Sequence, residues 1–294
     1  MTPSGRGLAA ALTALLLAGC ATTVTPPPPA PPLVVPPRVI DGVDFRLSGA
    51  MLQGGLAIGT IPAGAADLSF DGMAVPVASD GRFLIAFDRD ARPQAMIEAR
   101  AADGTILRRR LAIAPRAWQI ESLPTLPRGT TPTPEFLARR KAELDQIGAA
   151  RAIASSSNGW RQRFIWPVTG RISGIFGSQR IYAGEPGAYH SGVDVARPEG
   201  TSIVAPADGV VILAAVAPFS LEGNLLMIDH GMGLNSAFLH LSRIDVRVGQ
   251  VVRQGEKLGA IGMTGRATGP HLHWSLRWRD SRIDPQPLAE EMPR

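Results

Sequence analysis

The order of apolar and polar positions divides the chain into a β-rich front, a helical joint and a β-rich tail. Val43-Asp44-Phe45-Arg46-Leu47 alternates apolar and polar residues, the two-residue period of a half-buried strand. Phe83–Phe87 and Ile106–Ile113 supply further strand-like runs, and Asp-Gly pairs at 41–42, 71–72, 80–81 and 103–104 fall between apolar runs. Asp-Gly tolerates the left-handed backbone that tight hairpins need. Short strands repeated over 38–117 predict a small β-sandwich domain of immunoglobulin-like plan. That region holds no histidine and no clustered nucleophile, which suits a spacer or binding module.

Residues 118–160 read as a linker, rich in Pro and Thr over 124–134 and helical over about 134–150. Thr133-Pro134-Glu135 is a helix start: a capping hydroxyl, proline at the first helical position and an early carboxylate for the dipole. Phe136, Leu137, Leu144 and Ile147 fall on one face, opposite Arg139, Arg140 and Lys141, so a surface helix bridging two β regions is expected. It fades at Ser155-Ser156-Ser157-Asn158-Gly159. Residues 161–294 show no long helical period. Strand candidates there are 202–204, 210–216, 225–230, 235–240, 251–252 and 271–278, separated by glycine-rich turns. The expected class is all-β, with the C-terminal region mainly antiparallel.

Residues 1–20 have the pattern of an export signal: Arg6, then an apolar run from Leu8 to Ala18 that is too short to span a bilayer as a helix. It ends in Leu17-Ala18-Gly19-Cys20, which resembles the bacterial lipobox and makes Cys20 the expected lipidation site. Ala21, rather than an acidic residue, follows it, which in such systems implies delivery to the outer membrane, facing the periplasm. Residues 21–37 form a proline-rich tether, with eight prolines among positions 26–37.

Composition then narrows the chemistry. The 294 residues include one cysteine, which excludes intrachain disulfides and cysteine-built metal sites. The net charge is +5, and of 30 basic residues only Lys141 and Lys257 are lysines. An anionic wall polymer suits that charge, although arginine bias alone also produces it. The absence of a long basic run or an aromatic–basic stripe argues against nucleic acid.

All five histidines lie within residues 190–273: His190, His230, His240, His271 and His273. A strand through His190-Ser-Gly-Val-Asp194 puts His190 and Asp194 on one face and Val193 and Val195 on the other. In His271-Leu-His273-Trp both imidazoles share a face, while Leu272, Trp274 and Leu276 take the opposite, core-like one. Two histidines, a carboxylate and an exchangeable water compose a catalytic zinc site, and that donor set suits zinc better than magnesium or calcium. Spacing alone leaves open which of His271 and His273 is the ligand. Other catalytic signatures, such as a Gly-x-Ser-x-Gly elbow or a phosphate loop, are missing.

His190-Ser-Gly-Val-Asp194, Ile228-Asp-His230-Gly, Phe238-Leu-His240-Leu and Gly269-Pro-His271-Leu-His273-Trp stand in the order found in lysostaphin/LytM-type zinc metallopeptidases. Ala205-Pro-Ala-Asp-Gly-Val210 and the turns between Gly249 and Gly265 also look similar. The resemblance covers about 164–288 and implies a duplicated hybrid motif, an antiparallel β architecture with a groove over the metal. It further implies hydrolysis of peptide cross-links or stem peptides of bacterial peptidoglycan. On it, His190, Asp194 and His273 match the zinc ligands. His240 and His271 match active-site histidines that handle protons or stabilise the oxyanion, and His230 is structural. Two positions depart from the family: Phe238 stands where Tyr is common, and Ala183 where Asn is frequent. Either could alter substrate fit, and Phe238 removes a hydroxyl near the groove. The alternative is a catalytically inactive LytM-domain lipoprotein that activates a peptidoglycan amidase.

Overall fold

The computed structural model describes residues 36–126 and 132–292. Cys20, the export segment and most of the proline-rich stretch lie outside the described residues. From Pro37 onward the chain forms one compact unit, built almost wholly of strands.

The front region is a sandwich. Strands β1 (Val39–Asp41), β4 (Ala65–Phe70), β5 (Met73–Ala74), β7 (Gln94–Ala101) and β8 (Ile106–Ala112) form one sheet in the order β1-β8-β7-β4-β5. Strands β2 (Ser48–Gly49), β3 (Leu56–Thr60) and β6 (Arg82–Ala86) form the other. Phe45, Phe83, Ile85 and Ile97 are fully buried within it. The Asp-Gly pairs behave as their chemistry requires. At 71–72 both residues take positive φ (47° and 78°), the demand of a type I′ turn joining β4 to β5. The alternating run 43–47, by contrast, is not a strand. Arg46 sits at φ 46°, breaking the extended backbone, and Phe45 meets Phe83 edge-on at 6.4 Å. Burial of that one ring, rather than ladder pairing, sets the local conformation.

The linker contributes two elements. β9 (Ile120–Leu123) pairs in parallel with β11 (Gln179–Tyr182), whose hairpin partner is β12 (Glu185–Pro186). β9 is largely exposed, so its backbone pairing leaves no period-two apolar pattern for the sequence to display. Helix α1 (Pro134–Arg151) begins as expected, with the Phe136 N–H donating to Thr133 Oγ1 at 3.2 Å. Its buried face differs from the predicted one. Ile147 and Ala150 turn inward together with Arg140 and Glu143, whereas Leu137 and Leu144 are 55% and 50% exposed. The inward polar pair finds charged and hydrogen-bonding partners on the loop around Ser220 and Glu222, which outweighs the burial of two leucines. Beyond the helix, Ser155 donates both its N–H and its hydroxyl to Asp229, so the serine run secures a buried carboxylate.

The tail is an antiparallel sheet of β10 (Arg171–Gly174), β13 (Val193–Ala196), β20 (His271–Trp278), β17 (Leu234–Ile244), β16 (Asn224–Asp229), β15 (Gly209–Ala214) and β18 (Val251–Val252), in that order. β14 (Ser202–Val204) pairs with β19 (Lys257–Ile261), β19 also joins β17, and β21 (Ser281–Ile283) pairs with β20. Leu272, Trp274 and Leu276 alternate into the core with no more than 1% exposure. The other sheet face carries His271 and His273 and, further across, Ala237, Met227 and Leu213; Ile147 and Ala150 of α1 cover that second part. The cores of front and tail merge: Phe70 meets Trp278 edge-on at 6.2 Å.

Candidate metal centre

Register places the first donors. β13 and β20 run antiparallel with Asp194 opposite His273 and Ala196 opposite His271, so both imidazoles and the carboxylate rise from one face. His190 does not extend that strand, which starts at Val193. It arrives from a loop held by the His190 N–H donating to the Ser178 carbonyl and by Gly177 N–H donating to that of His190. The chain turns at Gly192, where a Cβ would stand 2.5 Å from the Trp274 carbonyl oxygen and 2.7 Å from His273 Nε2. Only glycine passes there. That close approach, not a two-residue period, brings His190 beside Asp194.

The donor atoms converge. His190 Nε2 and His273 Nδ1 lie 3.0 and 2.8 Å from Asp194 Oδ1, and 3.0 Å from each other. His190 Nδ1 is 3.0 Å from the Ile175 carbonyl, which can only accept, so Nδ1 carries the proton and Nε2 turns its lone pair to the centre. A tetrahedral zinc ion with bonds of 2.0–2.2 Å sets its ligand atoms roughly 3.3 Å apart. The three observed separations sit just inside that value, and two imidazole nitrogens with one carboxylate oxygen are a zinc-type set. These three residues can hold a metal. Burial alone would raise the Asp194 carboxyl, but bonds and charge from His190 and His273 outweigh it, so the group stays far below the ordinary carboxylate range. Burial lowers His273 in turn, which favours its neutral, ligating form.

His240 reaches the same face by a different route. On β17, Leu239 is opposite His273 and Phe238 opposite Trp274, so a regular strand would turn residue 240 into the core with Phe238. Instead His240 has φ 65° at an irregularity in the pairing with β16, and its ring lies 4.9 Å from that of His271 and 6.3 Å from that of His273. Its Nδ1–H donates to the Thr264 carbonyl at 2.8 Å, leaving Nε2 as an acceptor. Burial pushes its pKa down to about 4, although the Thr264 bond favours the charged form; the ring is neutral at pH 7. His271 Nδ1–H likewise donates to the Gly269 carbonyl at 2.8 Å, and its Nε2 stands 3.9 Å from Asp194 Oδ1.

His190, Asp194, His240, His271 and His273 thus gather at one place, and His230 does not. His230 is fully buried elsewhere, its Nδ1–H donating to the Asp208 carbonyl at 2.8 Å and its Nε2 accepting from Ser236 Oγ at 2.7 Å. Phe238 also lies away from the groove. It is fully buried against the Trp274 side of the sheet, so a hydroxyl there would face core rather than substrate. The orienting carbonyls of Ile175, Thr264 and Gly269 were invisible to sequence reasoning, because a backbone carbonyl has no residue signature.

With this geometry in place, comparison with known proteins is specific. The model of peptidase family M23 matches residues 188–285. The chain is 37% identical over 138 residues to peptidoglycan DD-endopeptidase ShyA of Vibrio cholerae, covering 45% of this chain and 32% of that one. It is also 37% identical over 123 residues to DD-carboxypeptidase/endopeptidase Mpg of Neisseria meningitidis, covering 42% of this chain and 28% of the relative. The chain therefore spans about a third or less of these relatives' length. A crystal structure assigned to peptidase M23 from Pseudomonas aeruginosa superposes with TM-score 0.63 at 32% identity, over 81% of this chain and 94% of that one. Similarity across nearly that whole structure, together with the matched motif region, shows that this chain belongs to peptidase family M23.

Proposed function

We propose that the protein is a zinc-dependent endopeptidase that hydrolyses peptide cross-links or stem peptides of bacterial peptidoglycan and so remodels the wall. The observation that carries this reading is the convergence of His190, Asp194 and His273 beside the paired rings of His240 and His271. His190, Asp194 and His273 hold the ion. Zinc bound there supplies Lewis acidity, polarising a substrate carbonyl and lowering the pKa of water. His240 and His271 each fix a proton on Nδ1 through a backbone carbonyl and present Nε2 to the reaction. A ring of this kind accepts a proton from the attacking water. Once protonated at Nε2 it becomes a donor, to the oxyanion and then to the leaving amine. Relatives named as peptidoglycan endopeptidases support the substrate class, as does the net positive charge toward an anionic wall.

Metal analysis of the purified chain, with mass spectrometry of its products from cross-linked muropeptides, tests this. About one zinc per chain and cleaved cross-links or stem peptides are expected. A metal-free, inert protein that accelerates a partner amidase would overturn it. Residues 1–20 place the enzyme in the envelope as a lipoprotein anchored through Cys20 to the outer membrane. Cys20→Ser should release it into the soluble periplasm; unchanged membrane partitioning would sink the anchor.

A further inference from the structure

His240 occupies a left-handed backbone conformation, φ 65°, that residues with a side chain disfavour and that persists only when the surroundings impose it. The His240 N–H donates to the Glu222 carbonyl at 2.8 Å. Glu222 belongs to a tight loop closed by reciprocal backbone bonds between Phe219 and Gly223. That loop lies directly against the segment that holds the imidazole. The Arg266 N–H donates to the Leu221 carbonyl, and the Asn224 N–H to Thr264 Oγ1, while Thr264 supplies the carbonyl that orients His240 Nδ1. A Cβ on Gly223 would collide with Thr264, so the two segments pack in direct contact.

The loop is gripped from outside by α1. Arg140 Nη1 and Nη2 bond the two carboxylate oxygens of Glu222, each at 2.6 Å, a forked pair with both side chains only 16% exposed. Arg140 Nη1 also bonds Glu143 Oε2 at 3.1 Å, and Glu143 accepts from the Ser220 N–H at 2.7 Å and from the Ser220 hydroxyl. Beneath these charges Ile147 and Ala150 pack on Phe219, Leu225 and Met227. The helix thus holds the loop at Phe219, Ser220 and Glu222. Water is largely excluded from the pair, so it is little screened by salt. Arg140, Glu143, Ile147 and Ala150 lie on a linker helix outside the 188–285 region that matches the peptidase family, whereas the loop they hold lies within it.

We infer that Arg140 and Glu143 of the linker helix are positioning residues for His240, acting through the Ser220–Glu222 loop, so that the linker completes the active site. This rests on the peptidase reading of His240 above, and its test separates the two. The full chain would be compared with Arg140→Ala, Arg140→Lys and Glu222→Gln, and with Lys141→Ala on the exposed side of the same helix as a control. Zinc content, kcat and KM on a cross-linked muropeptide, and the ring resonances of 13C-histidine-labelled protein would be read on each. Arg140→Ala should retain zinc, lower kcat on the order of tenfold or more with little change in KM, and shift or broaden the His240 resonance while that of His230 stays in place. Glu222→Gln, which keeps the shape of the pair, and Arg140→Lys, which keeps its charge but not the fork, should fall between it and the parent, and Lys141→Ala should match the parent. If Arg140→Ala does not fold, the two milder variants carry the same comparison. An unmoved His240 resonance with unchanged kcat in the folded variants overturns the inference. If the parent itself proves inert, the peptidase reading fails, and the resonance comparison still decides the positioning role.

Discussion

At the scale of single residues, the five converging side chains are separated by which atoms meet Asp194. His190 Nε2 and His273 Nδ1 lie within 3.0 Å of its Oδ1, whereas His271 Nε2 stands 3.9 Å away and His240 packs against the ring of His271. His240→Ala and His271→Ala should therefore leave zinc bound while lowering turnover on the order of 10²–10⁴-fold, the range of a lost general acid or base. Asp194→Asn or His273→Ala should lose the metal itself. Zinc released by His240→Ala to the same extent as by His273→Ala would sink the division of roles. His230 makes a different prediction. It is sealed in the core with both ring nitrogens already bonded, and burial lowers its pKa from 6.5 to about 4. The folded protein then binds fewer protons than the unfolded chain between those values. Its contribution to stability is fully present above about pH 6.5 and is lost as pH falls toward about 4. Urea midpoints across that range should decline for the parent and more shallowly for a folded His230→Gln variant; parallel slopes would refute it.

At the scale of elements, turns and irregularities do more than the regular strands. The β11–β12 hairpin turns through Ala183 and Gly184, both at positive φ (47° and 87°), in a form that favours Asn-Gly. Alanine at the first position bears the strain that asparagine relieves. Ala183→Asn should therefore stabilise the protein by about 1 kcal/mol, visible as a higher thermal midpoint with metal content unchanged. A lowered midpoint would sink the idea that backbone strain at residue 183 weakens the hairpin. The same reasoning applies at the candidate site: a regular β17 would bury His240, and the irregularity with its left-handed residue presents it instead.

At the scale of the whole molecule, the sandwich and the peptidase region share one core. Arg89 of the sandwich is 7% exposed, donates to the Gly177 carbonyl and to Gln179 Oε1, and lies over the rings of Trp118 and Tyr189. Tyr189 directly precedes His190, so this contact supports the loop that delivers His190 to the candidate metal centre. Arg89→Ala removes charge-assisted bonds from a site sheltered from water and should cost about 2–4 kcal/mol, with residues 37–294 still unfolding in one transition. Denaturant titration followed by tryptophan fluorescence and by circular dichroism checks both points. An unchanged midpoint, or two separated transitions, would contradict the shared core.

Sequence by itself determined the all-β class, half of the strands of the tail, the start of the helix and the identity of the five side chains that converge. These features are local: a two-residue period, a capping hydroxyl and residue types whose chemistry is their own. Asp-Gly turns were legible for the same reason, since positive φ is a property of the residues placed there. The failures were equally physical. Residues 43–47 alternate correctly yet form no regular strand, because Arg46 breaks the extended backbone and Phe45 serves a core assembled from distant strands. Helix α1 turns two leucines outward because the partners of Arg140 and Glu143 lie some 80 residues away in sequence, at Glu222 and Ser220. β9 pairs through its backbone and one exposed Arg180–Glu121 ion pair, with no buried apolar stripe to announce it. His190 and His240 were recognisable as residues, but their approach depends on Gly192 against Trp274 and on the left-handed backbone at His240. Those are contacts between segments far apart in the chain. The donor types were written locally; their convergence, and the protons fixed by backbone carbonyls, came only from the tertiary structure.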